Sequence, residues 1–398
     1  MKSKKRLSLY IHIPFCVQKC RYCDFFSAAA SAQEKSQYTE LLCREIRSWG
    51  RMLREKYSVY TIFIGGGTPT CLSAEQLHKI GAAIRESFDC DELTEFTTEA
   101  NPGTVMPEHL TVWQQMGINR VSLGLQSAQN RELQMLGRIH SYEEFLTTYQ
   151  MIRQSGMDQI NIDVMAAIPE QTLESYQDTL EKIVSLNPEH ISSYSLIIEP
   201  GTVFGDWEKN GTLKHVDEDV DRQMYEWTGK YLQHMGYQRY EISNYCRDGM
   251  ECRHNCVYWS GGEYLGLGVN ASSYLTGYRF HVPVSQKTYR SYVDRICVLA
   301  EKESEGLKKA VQEMDELEFI DQRAQMEEFM FLGLRMMAGV SEQEFYQRFG
   351  ISMMEVYGDI IKKYQNMDLL CRRDTGRVAL TEKGIDVSNS ILSDFLLN

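Results

Sequence analysis

No stretch of eighteen consecutive apolar residues occurs in this 398-residue chain, so no transmembrane helix is expected. Positive charge is also scarce. Against 55 acidic residues stand 42 lysines and arginines, and the net −13 disfavours a nucleic-acid or anionic-membrane partner held by bulk charge. The start, MKSKKRLSLYIHIPFC, is basic and then apolar. Its apolar stretch is short, is interrupted by His12 and Pro14, and lacks the small-residue cleavage site of a signal peptide. A cytoplasmic protein is expected. There is no internal repeat and no low-complexity segment. The eleven cysteines do not suggest a disulfide framework, being odd in number and scattered. In the cytoplasm, clustered cysteines more often mean metal and isolated ones core packing. Cys43, Cys71, Cys90, Cys297 and Cys371 sit among apolar or helical neighbours and are read as structural. What remains is an ordinary globular composition, 43% apolar and 24% charged, in a chain long enough for a main domain and a smaller one.

The first two-thirds alternates short β-like runs with amphipathic helical patterns. Strands are predicted over 7–13, 60–64, 94–100, 120–124, 159–164 and 190–196, with helices near 34–54, 73–87, 106–116, 129–154 and 172–186. This alternation implies an α/β parallel sheet with crossover helices. Six units are too few for a complete eight-fold barrel, and periodicity leaves open sheet and partial barrel undecided. In either case the site belongs at the carboxyl ends of the strands, where the βα loops gather. Residues 200–290 are less regular, with one helix near 217–235. Helices are expected again at 315–337, 341–348 and 354–365, then a hairpin over 369–380 turning at Asp374–Gly376, then a helix over 382–396. That pattern reads as a winged-helix-like module. Residues 301–398 carry 12 basic and 19 acidic side chains, which favours packing or interaction over DNA binding.

Directly after the first strand comes Cys16-Val-Gln-Lys-Cys20-Arg-Tyr-Cys23. This spacing lets three thiolates from one loop converge on one centre, and soft thiolates suit iron–sulfur clusters or zinc. Three ligands on a four-iron cluster leave one iron free for an exogenous ligand. Taken alone, the cysteines serve a zinc site completed by His12 as readily as a cluster. The neighbours decide between them: Phe15 and Tyr22 flank the thiolates, and Gly65-Gly-Gly-Thr-Pro-Thr70 follows the second strand. Glycines there let backbone amides approach a ligand closely. Together the loops resemble the signature of the radical S-adenosylmethionine (SAM) superfamily. That resemblance implies a [4Fe–4S] cluster on Cys16, Cys20 and Cys23, with SAM chelating the open iron and yielding a 5′-deoxyadenosyl radical on reduction. Polar residues recur at successive strand ends: Glu99, Asn101, Gln126, Arg138 and Asp163. Singly, each reads more simply as a structural partner. Together they suit ribose hydroxyls, the sulfonium region and a carboxylate.

The likeness is closer still. LSLYIHIPFC, GGGTPT, TEANPGT, NRVSLGLQS, LGRIHS, YSLIIEPGTVF, YEISNY, RHNCVYW, YLGLG, EEFMFLGLRMMAGV and LTEKG are similar to the family of oxygen-independent coproporphyrinogen III oxidases and HemW-type heme chaperones. The resemblance implies a partial (β/α)6 barrel followed by a helical, winged-helix-like domain. It divides the chain into a barrel (1–240), an extension (241–300) and a C-terminal domain (301–398). It nominates Tyr10, Tyr22, Gly66, Gly67, Thr68, Glu99, Gln126, Arg138 and Asp163 around SAM. Two features separate the branches. The oxidases carry a further cysteine two residues past the third, where Phe25 stands here, and a longer segment before the cluster loop, where fifteen residues stand here. Both point to the chaperone branch, which also carries an H-N-x-x-Y-W motif linked to heme, here His254-Asn-Cys-Val-Tyr-Trp259.

From those six residues alone, His254 reads as a satisfied structural histidine. The resemblance makes it a heme ligand, or the group that orients one. Two segments depart from the family pattern: 163–170 lacks the usual glycines, and 266–271 replaces a more glycine- and alanine-rich run. Cys246, Cys252 and Cys256 surround His254 and read as incidental, with a second metal as the minority alternative. The leading expectation is a chaperone that carries heme to heme-requiring proteins, with no necessary catalytic turnover. The alternatives are a coproporphyrinogen oxidase and a radical SAM enzyme with another substrate.

Overall fold

Helix starts organise the first half of the chain. Ser31 with Glu34, Ser73 with Gln76, Ser141 with Glu144 and Thr172 with Ser175 each exchange hydrogen bonds across a first helical turn, satisfying amides that no carbonyl can reach. Apolar runs between the helices extend as strands. In the computed structural model, which describes residues 4–314 and 316–397, strands alternate with helices, two of which lie between the fourth and fifth strands. The order is β1 (Lys5–Ile13), α1 (Ala32–Leu53), β2 (Tyr57–Gly66), α2 (Ala74–Ser87), β3 (Glu95–Ala100), α3 (Pro107–Met116) and β4 (Arg120–Gln126). It continues through α4 (Asn130–Leu136), α5 (Tyr142–Gln154), β5 (Ile160–Ala166), α6 (Leu173–Ser185) and β6 (His190–Ser195). Neighbours β1 to β6 pair in parallel, in chain order. β6 does not pair with β1, so the six parallel strands form an open (β/α)6 layer.

Next come α7 (Val203–Lys209), α8 (Glu218–His234), β7 (Gln238–Arg239), β8 (Asn244–Cys246), α9 (Arg253–Trp259), β9 (Tyr264–Leu267), β10 (Ser272–Leu275) and β11 (Tyr278–His281). Beyond β6 the sheet is extended by β8, antiparallel to β6, and then by β7, antiparallel to β8. At the other edge β9 pairs in parallel with β1, and β10, β11 and β12 (Glu318–Phe319) continue outward. The stretch that reads as irregular in sequence therefore supplies both flanks of a twelve-stranded sheet. Helices α10 (Gln286–Ala300) and α11 (Glu303–Gln312) pack on α1, and the main core runs as far as Met314.

A second core begins at Met330. It is built by α12 (Gln322–Gly333), α13 (Glu342–Phe349), α14 (Met353–Asn366), the sheet β13 (Val340–Ser341), β14 (Leu370–Arg373) and β15 (Arg377–Leu380), and the short α15 (Glu382–Asp386) and α16 (Ser388–Ser393). Three expected helices come out differently. The pattern over 129–154 breaks at Gly137, whose φ of 74° ends α4 before Ser141 starts α5. The terminal pattern over 382–396 divides at Val387. The one expected over 315–337 begins at Gln322, because Glu318–Phe319 is taken by the sheet. Residue 315 of that stretch, like residues 1–3 of the basic start, lies outside the described residues. Among the described residues, no helix is long and apolar enough to cross a membrane.

Candidate functional site

The loop between β1 and α1 carries the cysteines and is fastened on all sides. Its two ends pair with each other, Cys16 N–H donating to Ala28 O at 3.1 Å and Ala28 N–H to Pro14 O at 3.0 Å. Its middle leans on the end of α4: Arg21 N–H donates to Leu136 O, and Gln18 Nε2 to Gly137 O at 3.1 Å. From there a chain of contacts crosses the strand ends. Thr68 Oγ1 faces Cys16 Sγ at 3.5 Å, Asn101 Nδ2 donates to Thr68 Oγ1 at 2.6 Å, and Arg138 Nη2 donates to Asn101 Oδ1 at 2.7 Å. Arg138 Nη1 then stands 3.6 Å from Cys20 Sγ. Two of the three thiols are thus tied, through residues after β2, β3 and β4, into one polar circuit.

The amides of the glycine-rich loop are taken up within the protein. Gly66 N–H donates to Glu99 Oε2 at 3.0 Å, and Gly67 and Thr68 N–H donate to Ile13 and Phe15 carbonyls at 2.8 and 2.7 Å. All three amides are committed to protein acceptors. A side chain at Gly67 would stand 2.6 Å from Phe15 O, so the glycine permits a close clasp on the cysteine loop. His12 is equally committed. Its Nε2–H donates to Phe26 O at 3.0 Å and its Nδ1 accepts from Tyr10 O–H at 3.0 Å, so the imidazole is not free to complete a zinc site.

A cavity of about 570 Å³ opens beside this loop at the carboxyl ends of the strands. Tyr10, Tyr22, Cys23, Gly66, Glu99 and Asp163 border it, as does His254. Gln126 reaches the same region through its side chain, which accepts from Tyr194 O–H at 3.2 Å. Burial and the neighbouring Asp163 push the Glu99 carboxyl up to about 7. Burial also raises Asp163, against hydrogen bonds from Asn161 Nδ2 at 2.7 Å and Ser122 Oγ at 3.2 Å. Arg138, Thr68 and Cys20 line a small cleft behind.

The cavity has further walls that the sequence analysis passed over: Arg120, Ser122, Asn161 and Ser192. The available signal was a period of two. Arg120 and Ser122, then Asn161 and Asp163, are polar at alternate positions of strands whose other residues are apolar.

His254 sits in α9, whose first amides are capped by Glu95: Arg253 and His254 N–H donate to its carboxylate at 2.7 and 3.0 Å. Thr61 O–H donates to Ser8, so its oxygen accepts from His254 Nδ1–H at 2.8 Å, and Nε2 then accepts from Tyr258 O–H at 2.9 Å. The ring stacks on Phe63 at 5.2 Å, and burial lowers its pKa to about 3. It is a neutral imidazole with both nitrogens engaged. Cys246 lies in β8, Cys252 faces Glu95, and burial pushes the Cys246 and Cys256 thiols up to about 12. Among the described residues, no three His, Cys, Asp or Glu side chains are drawn together as a metal site, and this holds for both cysteine sets. The first set still fits an iron–sulfur cluster by its chemistry. It offers three thiols on one loop, a guanidinium beside one of them, and an Arg138 Nε that lacks a protein acceptor.

The radical SAM superfamily model matches residues 10–183, and the HemN C-terminal domain model matches 320–387. The solved structure of Escherichia coli coproporphyrinogen III oxidase (HemN), described as a radical SAM enzyme, superposes with a TM-score of 0.82 at 22% identity, over 99% of this chain and 90% of that one. Fold and cysteine loop define a radical SAM protein with a HemN-type C-terminal domain, a class that implies a [4Fe–4S] cluster and SAM. The heme chaperone HemW of Lactococcus lactis is 36% identical over 99% of this chain and 98% of its own length. That of Bacillus subtilis is 35% identical over 98% and 99%. The chain belongs to the HemW family.

Proposed function

We propose that this chain binds heme and hands it to heme-requiring proteins in the cytoplasm. The observation that carries this reading is similarity to proteins named heme chaperones over nearly the whole of both chains. Phe25, 62% exposed where the oxidases carry a further cysteine, supports the same reading.

In it, Cys16, Cys20 and Cys23 hold the [4Fe–4S] cluster, and Tyr10, Tyr22, Gly66, Glu99 and Asp163 surround SAM. Gly67 and Thr68 hold the cysteine loop in place. Arg138 sets positive charge beside Cys20, and Gln126 fixes Tyr194 at the cavity wall. When bound, cluster and SAM supply one-electron chemistry at the strand ends. Glu99, raised to about 7 by burial, can accept from or donate to a ribose hydroxyl through Oε1, its Oε2 accepting from Gly66 N–H. With both imidazole nitrogens occupied, His254 acts by orienting Tyr258.

The test is heme titration of the anaerobically reconstituted protein, followed by incubation with SAM, a strong reductant and coproporphyrinogen III. Saturable Soret binding with the porphyrinogen unchanged is expected. Loss of propionate carboxylates would make the protein an oxidase despite Phe25, and absence of heme binding would end the chaperone reading.

A further inference from the structure

Strand β4 opens on a charge. Val121, Leu123 and Leu125 belong to the main core, so Arg120, Ser122 and Gly124 hold the alternate positions on the inner face. Arg120 is 3% exposed and borders the barrel cavity, the one guanidinium there among the described residues. Its register partner is Thr97, whereas Glu99 pairs with Ser122 and Asp163 with Gly124. Arg120 therefore lies one inward position below Glu99, roughly 7 Å deeper along the strand, and two below Asp163.

Among the described residues this guanidinium forms no ion pair and no side-chain hydrogen bond. Glu95 and Asp163 act on it only through space. Both spend their oxygens elsewhere: Glu95 on the Arg253 and His254 amides, Asp163 on Asn161 and Ser122. The nitrogens of Arg120 are not sealed off but keep contact with the cavity. Asn255 borders the same floor, and its side-chain amide has no protein partner among the described residues. A buried guanidinium without a counter-ion is costly, and a ligand that completes the pair removes that cost.

We propose that the floor of the barrel binds a small monocarboxylic acid, its carboxylate on Arg120 and its body directed toward the SAM end of the cavity. One guanidinium balances one negative charge. The carboxyl groups of Asp24, Glu99, Asp163 and Glu199 around the cavity oppose a dianion such as phosphate. The planar fork of arginine matches the two oxygens of a carboxylate. Phe63 and Met165 offer apolar wall to a short carbon body. A cavity of about 570 Å³ is of the size usual for one cofactor-sized ligand, so beside SAM it has room for a small acid and not for a macrocycle. The site stands apart from the heme-binding reading and gives the barrel a ligand of its own.

The experiment is thermal unfolding of the full-length, cluster-loaded protein at constant pH and ionic strength, with and without saturating SAM. Propionate, benzoate and inorganic phosphate are titrated in turn, and the series is repeated on Arg120→Met and Arg120→Lys. One or both acids should raise the wild-type melting temperature saturably, by about 2 °C or more, with SAM present, and phosphate should not. Arg120→Met should lose the response, and Arg120→Lys, which keeps the charge but not the fork, should need about fivefold more acid. Wild type that responds to neither acid up to about 20 mM would overturn the assignment, as would a response that Arg120→Met retains in full. A response that SAM abolishes would also overturn it, by giving the guanidinium to SAM's own carboxylate. The wild-type titrations decide the matter even if a variant does not fold.

Discussion

Two sets of three cysteines lie in this molecule, and their spacing in sequence is nearly as close in one as in the other. Cys16, Cys20 and Cys23 share one loop at the strand ends, half-buried, with the Thr68 hydroxyl beside one sulfur and the Arg138 guanidinium beside another. Cys246, Cys252 and Cys256 are divided between a strand, a helix cap and a helix. There Glu95 and Glu251 join burial in raising the Cys256 thiol. A thiolate is the metal ligand, so neighbours that favour the anion matter as much as spacing. The first set lies on one loop where the fold gathers ligands, with a guanidinium beside Cys20, although burial raises the Cys23 thiol to about 11. The second is spread over three elements, and burial, with acidic neighbours after it, raises the Cys246 and Cys256 thiols to about 12.

The sharpest way to break that contrast is to exchange serine for cysteine in each set. Cys16→Ser/Cys20→Ser/Cys23→Ser should abolish iron uptake on anaerobic reconstitution, whereas Cys246→Ser should leave it unchanged. Wild-type iron well above about four per chain would contradict this by revealing a second centre. Next in size is Glu95→Ala, which strips two amides of α9 of their acceptor and should cost about 3 kcal/mol in denaturant unfolding. An unchanged midpoint would mean that α9 does not depend on its cap. Gly67→Ala, by forcing the clasp on the first cysteine loop apart, should cost about 2 kcal/mol and weaken cluster retention. Cluster occupancy and melting temperature read the two effects separately.

The smallest effect concerns Glu45, wholly buried behind the first loop, where it accepts from Tyr289 O–H at 2.7 Å and Gly268 N–H at 2.8 Å. Burial raises its pKa from 4.5 to about 7, so the native state holds a proton that the unfolded chain releases. Its contribution is therefore greatest at acid pH and is lost as pH rises toward 7. Relative to Glu45→Gln, wild type should lose about 1–2 kcal/mol between roughly pH 5.5 and 7. Parallel stability profiles would show that the carboxyl is already ionised across that range.

Much of the barrel is legible in sequence because its signals are local. Apolar runs of strand length alternate with serine- or threonine-capped helices, and the β4 and β6 starts at Arg120 and His190 fall where pattern alone places them. What is not legible depends on distant partners. The residues of β9 carry no mark that they will pair with β1, some 250 residues earlier in the chain. The occupancy of both His254 nitrogens is set by Thr61, 193 residues away, and by Tyr258. Gly137, by contrast, offered a local signal. A glycine four residues before Ser141 marks a helix end followed by a new cap, and the apolar periodicity running through it obscures the break. Of the nominated SAM residues, Tyr10, Glu99 and Asp163 border the cavity, while Gly67 and Thr68 serve the loop beside it.

The most direct measurement is transfer. Heme-loaded, cluster-bearing protein is mixed anaerobically with an apo heme protein, and the Soret bands of donor and acceptor are followed together. A chaperone predicts that the donor band falls as the acceptor band rises, with the macrocycle recovered intact. Heme that stays on this chain while the acceptor remains empty, or that reaches the acceptor no faster than free heme does, would contradict it.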